Sequence, residues 1–278
     1  MSRASTPAIL AAAAAALLAL AGLLAPPAAT AAGAGAAPID TATAAPSPAP
    51  GPAAGTAAAR ADAPVRPIRR QGATVAKIVA PVTARAKPSG RARAVWRVPT
   101  ATGWSRQVQV LLVLRSTRDE RGRRWLKVVL PIRPNGTRAW IPADYAMLRR
   151  TSYWIEISTA RRLVTVHRAG RLVRRFRAVV GAPGTPTPHG LFAIWERNQQ
   201  PDPGAFLGPW ALSLTALSNV LENYGGGPGR VAIHGRAGLS LNDPLGTARS
   251  HGCIRVANAD VTWLAHRVPA GTPVSIRR

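Results

Sequence analysis

The stretch VAIHGRAGLSLNDPLGTARSHGCIRVANAD, Val231–Asp260, concentrates the chemistry of this chain. An apolar, strand-like run ends in His234-Gly235, and a second short run, CIRV, follows Ser250-His251-Gly252. The thiol of Cys253 is only weakly ionised near neutral pH, so as a nucleophile it needs a neighbouring base or a positive local field. Two histidines and the amides of a glycine-containing turn can supply both. His234, arriving from a separate strand, is the better general base, because it can be oriented independently of the nucleophile's own loop. His251, two residues from the sulfur, is placed to shape the loop or tune the thiolate. Gly252 lets the main chain approach a substrate closely. The amides around it are candidate oxyanion donors, which are typically worth about 3–4 kcal/mol of barrier.

Working outward, a helix is expected through NADVTWLAHRV, with Asn258 as its cap, Asp260 in its first turn, His266 and Arg267 at its end and Pro269 beyond. Upstream from Ser152 the pattern is β: YWIEIS, RRLVTVHR, RLVRRFRAVVG, GLFAIWER and WALSLTAL, with PVSIRR closing the chain. His167-Arg168-Ala169-Gly170 sits between two alternating runs and reads as a hairpin turn, which makes His167 a surface residue. Residues 151–278 are therefore expected to form a β domain with one packed helix. Residues 74–150 hold further short β runs, TVAKIVAPVTARA, QVQVLLVLRS, RRWLKVVLP and RAWIP, separated by DERG and RPNG, the signature of a small barrel. No nucleophile, base or metal cluster falls there, so this part is expected to support the chemistry without performing it.

The first residues put Arg3 ahead of an apolar run, Ala8–Leu24, broken by Pro26 and Pro27, the layout of a secretory signal over residues 1–32 with cleavage near Ala31. The run is shorter than the roughly 20 residues of a membrane-spanning helix, and membrane attachment is expected only if the signal stays as an uncleaved anchor. No cysteine follows it, which argues against a lipoprotein anchor. Residues 33–73 are nearly all Ala, Pro, Gly, Thr and Ser in their first part, as in DTATAAPSPAPGPAAGTAAA, and read as a disordered tether.

The formal net charge of +26, from 37 Lys and Arg against 11 Asp and Glu, favours polyanionic surroundings. The arginines are spread along the chain without a basic cluster interleaved with aromatics, so no nucleic-acid partner is expected; a merely solvated surface explains the charge equally well. For an exported chain the available polyanions are wall polymers, lipid headgroups and peptide carboxylates. A single cysteine excludes a disulfide within the chain and leaves a reactive thiol or a buried, inert one. His234, His251 and Cys253 could also be read as zinc ligands, but a His and a Cys two apart without a further matched pair is not a usual ligand spacing. A papain-like peptidase fits poorly, because there the cysteine precedes the histidine and sits on a helix. Trp125, Trp140, Trp154 and Trp195 lie in strand-like runs and read as core; Tyr224 and Trp210 border loops that could line a cleft, and His189 reads as a turn residue.

IHG followed by SHGCIRV is similar to the signature of YkuD-type L,D-transpeptidases. VVGAPGTPTPHGLFAI resembles that family's TP-x-G-x-F stretch, and NADVTWLAHRVPAGTPVSI its closing helix and last strand. RWLKVVLPIRPNGTRAWIP resembles more loosely the SH3-like modules found beside wall enzymes. The fold these resemblances imply is mainly β: signal and tether, a small SH3-like barrel, then a YkuD-type β-sandwich with one packed helix. They imply Cys253 as nucleophile and His234 as proton acceptor and donor. Ser250, His251 and Gly252 complete the active or oxyanion loop, and Arg255 follows where the family usually has Arg. Arg255, Gly235 and the loop-bordering Tyr224 are the expected substrate contacts. The implied activity is peptidoglycan crosslinking between third stem residues through a cysteine thioester, in wall biogenesis and cell shape. It needs no metal, organic cofactor or ATP, its partners are stem peptides, and carbapenem-type inhibitors are expected to bind. An L,D-carboxypeptidase, a transferase attaching proteins to the wall, or a non-catalytic wall-binding protein are the alternatives. Arg236 departs from the Thr that the family often has after its His-Gly pair.

Overall fold

The computed structural model describes residues 70–223 and 227–278. The signal, most of the tether and Tyr224 therefore lie outside the described residues. The chain is mainly β, with two large sheets and one α-helix among the described residues.

The first sheet has seven strands: β1 (Ala73–Ile78), β2 (Val82–Arg85), β3 (Ala94–Val98), β4 (Val110–Arg118), β5 (Arg124–Val129), β6 (Arg138–Pro142) and β7 (Ala146–Thr151), in the order β3-β2-β6-β5-β4-β1-β7. Pro81, which has no N–H to give a ladder, separates β1 from β2 and splits the run TVAKIVAPVTARA. The sheet curls around a core made from its own side chains, including Ile78, Leu111, Leu126, Leu130 and Ile141.

The second sheet contains β8 (Tyr153–Ser158), β9 (Leu163–Arg168), β10 (Arg171–Arg177), β12 (Gly190–Gln199), β13 (Trp210–Leu217), β14 (Arg230–His234), β16 (Ile254–Arg255) and β17 (Pro273–Arg277), in the order β10-β9-β8-β17-β12-β13-β14-β16. A two-strand ladder, β11 (Val180–Gly181) with β15 (Ala248–Ser250), stands beside it. Ile155, Phe192, Ile194, Leu212, Ile233 and Ile254 fill the core together with Val261, Leu264 and Ala265 of helix α1 (Asn258–Arg267).

The β9–β10 hairpin turns through Ala169 and Gly170, both with positive φ, as its sequence signal requires. His167, however, is buried rather than superficial. It lies opposite Trp154 in the ladder, and the segment entering β1 covers this end of the hairpin, where Gly170 donates to the carbonyl of Arg70 at 3.2 Å. The helix also departs from expectation: Ala257 is its cap, and the Asn258 side chain makes no capping bond.

Both sheets belong to one compact unit. Ala73, Leu112 and Val129 of the first sheet pack on Ala193 of the second. Polar bonds join the seam: Trp195 Nε1 donates to Gln109 Oε1 at 3.1 Å, and the Thr151 and Thr272 hydroxyls are 3.1 Å apart. Glu196, fully buried, accepts the Trp104 and Ser105 amides.

Candidate active site

Parallel strands cannot be joined by a tight hairpin and need a crossover. Strands β14 and β16 are parallel, with Ile233 beside Ile254 and His234 beside Arg255. Their crossover is the loop 235–253. Side chains alternate between faces along a strand, so Ile233, Ile254 and Val256 turn into the core while His234, Cys253 and Arg255 share the other side. Cys253, His234, His251 and Arg255 line one small cavity, of about 40 Å³, together with Phe206, Leu207, Ser218, Leu221 and Arg230.

The cysteine loop is held from within and from behind. Ser250 Oγ donates to the Cys253 carbonyl at 2.6 Å and accepts the Gly252 N–H at 3.2 Å. The Gly252 amide is thus engaged inside the loop, so of the two expected oxyanion donors the Cys253 amide is the better candidate. Gly252 has φ +114°, a conformation other residues adopt only with strain. Behind it, Thr187 Oγ1 donates to the Gly252 carbonyl at 2.9 Å and accepts the Gly181 amide at 2.8 Å, while Thr185 Oγ1 donates to the Ser250 carbonyl at 3.1 Å.

His234 is buried, with Nδ1 2.7 Å from the Gly235 carbonyl. A carbonyl only accepts, so Nδ1 carries the proton and Nε2 is left as the basic nitrogen. Burial lowers the ring's pKa from 6.5 to about 4; the Gly235 and Leu207 carbonyls oppose that shift and Arg255 adds to it. Burial pushes the Cys253 thiol up, against the opposing pull of a backbone contact at Ala232 and the charge of Arg255. Both groups are therefore neutral at rest. The thiol points at the Arg230 carbonyl, 4.0 Å from Sγ. Burial also lowers Arg230, to about 10, which keeps it charged at neutral pH.

Other expected residues are placed less directly. Arg255 has a side chain only 4% exposed, paired with Asp243 and set over the Phe206 ring at 4.8 Å. It acts on the site through charge and packing more than as an open substrate contact. A side chain at Gly235 would collide with Asn258 Oδ1, Pro209 and the Leu207 carbonyl, so its role is close packing, with its carbonyl on His234. Trp210 faces a different cleft, edge-on to His266. His189 bonds the Thr159 hydroxyl at 2.9 Å and also lies away from the cavity.

Asp243, Phe206, Arg230, Thr185 and Thr187 went unnoticed as site residues in the sequence. The two threonines stand in a quoted motif, and their hydroxyls were the available signal. Arg236, the departure from the family pattern, donates to the Ser240, Leu241 and Asp243 carbonyls, and its amide reaches Asn258 Oδ1 at 2.7 Å. It folds the crossover loop that presents Asp243 to Arg255.

Residues 152–276 match the family model of the L,D-transpeptidase catalytic domain, YkuD. The YkuD protein of Bacillus licheniformis is 40% identical over 126 residues, covering 45% of this chain and 65% of that protein. Its Bacillus subtilis counterpart is 37% identical over 128 residues, covering 45% and 66%. The chain thus spans slightly under two thirds of the length of these relatives. Among solved structures, L,D-transpeptidase 3 of Mycobacterium tuberculosis, in complex with a faropenem-derived adduct, is 15% identical with a TM-score of 0.41, covering 73% of this chain and 98% of that one. The resemblance read from the motifs is borne out over residues 152–276.

Proposed function

We propose that this chain is a peptidoglycan L,D-transpeptidase working outside the cytoplasm, with Cys253 as nucleophile and His234 as its base and acid. The observation that carries the reading is that the sulfur and an imidazole whose Nδ1 is tied to the Gly235 carbonyl line one cavity inside a YkuD-matched region.

Attack by sulfur on the carbonyl of the third stem residue, of meso-diaminopimelate type, proceeds as Nε2 takes the thiol proton. The Gly235 and Leu207 carbonyls against the ring favour the imidazolium that forms. The Cys253 amide holds the oxyanion; such donors are worth about 3–4 kcal/mol. The imidazolium protonates the departing D-alanine amine, leaving a thioester. The side-chain amine of a neighbouring third residue then attacks, His234 accepts its proton, and the thiol is regenerated with a crosslink between third residues. A cavity of about 40 Å³ holds a few waters, so only the reacting groups enter it while the stems stay outside.

The test is mass spectrometry of products from disaccharide-tetrapeptide. A dimer joined through third residues is the expected product. A tripeptide alone would make the chain a carboxypeptidase, and unchanged substrate would favour a wall-binding protein. Cell fractionation is expected to find the mature chain outside the cytoplasm, and its recovery from cytoplasm would overturn the export reading.

A further inference from the structure

The wall of the cysteine cavity is held by the first sheet. Arg133, in the turn between β5 and β6, points its guanidinium across the seam at the segment between β13 and β14. Nη1 donates to the Ser218 carbonyl at 2.5 Å, and Nη2 to the Leu221 and Pro228 carbonyls at 3.3 and 2.9 Å. Asn135, two residues on, donates through Nδ2 to the Leu217 carbonyl at 2.5 Å and to Asn219 Oδ1 at 2.8 Å, and accepts the Leu217 amide at 2.8 Å. In the opposite direction Arg230 donates from Nη2 to the Pro131 carbonyl at 3.1 Å and stacks 3.9 Å from the centre of the Trp195 ring.

Ser218, Leu221 and Arg230 all line the cavity, and the Arg230 carbonyl is the group the resting thiol points at. The path from the first sheet to the sulfur is therefore short: Pro131, the Arg230 side chain, the Arg230 carbonyl, then Sγ. A guanidinium presents several donors in a fixed fork, so Arg133 holds three carbonyls of one segment in a single relative arrangement. The Gln107 bonds at the same seam, to the Arg197 carbonyl and Asn198 Oδ1 at 2.9 Å, touch no cavity-lining residue.

We propose that Arg133 is a positioning residue for the cysteine site, so that the β5–β6 turn of the first sheet is a working part of it. The consequence for turnover rests on the transpeptidase reading, in which a misplacement of about 1 Å costs about 10²-fold. The positioning itself does not, because it can be read on the thiol alone. The charged and titratable residues that line the cavity with that thiol are His234, His251, Arg230 and Arg255.

The chain has a single cysteine, so alkylation of the full chain by iodoacetamide reports one site. Alkylation rate against pH, melting temperature and turnover are compared for wild type, Arg133→Ala, Arg133→Lys and Gln107→Ala. Arg133→Ala is expected to raise alkylation at neutral pH by about tenfold and to move the profile's midpoint down toward that of an ordinary thiol. Arg133→Lys should fall between, since one ammonium cannot span the same carbonyls. Gln107→Ala should lower the melting temperature without moving the profile. A folded Arg133→Ala protein with the wild-type rate and profile would overturn the proposal. If Arg133→Ala does not fold, Asn135→Ala is read by the same criterion. A shifted profile in a chain whose wild type makes no crosslinks refutes the activity and keeps the positioning; unchanged turnover and profile beside an active wild type refute the positioning alone.

Discussion

In the first sheet Gln109 and Thr151 are buried polar side chains whose bonds go to the second sheet; in the second, His234, Ser250, Arg255 and Thr187 are buried polar groups bonded around the cysteine loop. Their apolar cores are otherwise alike, each sheet curling around Val, Leu and Ile. A buried polar group costs stability unless it is bonded, so its location marks where the chain does more than close a core. In the first sheet that place is the seam; in the second it is both the seam, through Glu196 and Thr272, and the cysteine cavity.

The largest expected difference between the regions is chemical. Cys253→Ala should abolish both crosslinking and hydrolysis, with no thioester adduct after carbapenem treatment; crosslinks formed by this variant, or an adduct mapped elsewhere, would end the nucleophile assignment. His234→Ala should lower acylation by about 10²–10⁴ while leaving a thiol that is alkylated more slowly. A wild-type acylation rate for that variant would remove His234 from the mechanism. Thr187→Val deletes a donor to Gly252 and an acceptor from Gly181, and should cost about 1–3 kcal/mol in denaturant unfolding as well as turnover.

Acid should separate the sheets more gently. The unfolded chain takes a proton on His234 as pH falls below about 6.5, while the folded one resists until about 4. Stability is therefore untouched by this group above that window and declines across it as pH falls, by up to about 3 kcal/mol. His167, also lowered by burial, contributes with the same sign. Denaturant titrations at several pH values should show a shallower decline for His234→Gln, and an identical one would contradict the burial argument. The smallest effect is expected on the first sheet's exposed face, where Arg123→Ala, at an exposed ion pair with Asp144, should change stability by less than about 0.5 kcal/mol.

That Cys253 and His234 come together at one cavity was legible, because both stand in one short stretch whose residue types suggest a shared place. The strands and the Ala169-Gly170 turn were legible through alternation and local backbone preference. Asn258 was misread for a reason of distance: its oxygen serves the Arg236 amide, 22 residues earlier, instead of its own helix. His167 looked superficial because nothing in the hairpin's own sequence reveals that residues 70–72 pass over it. The Asp243–Arg255 pair and the Arg133 contacts likewise join segments far apart in the chain, and single-sequence spacing carries no record of such partners.

The thiol aimed at the Arg230 carbonyl has a further consequence. Oxidants such as peroxide attack thiolate rather than thiol, and burial favours the protonated form of Cys253. The sulfur should thus be shielded from sulfenic acid formation, and on the proposed reading it stays so between turnovers. Peroxide should oxidise it more slowly than free cysteine at the same pH.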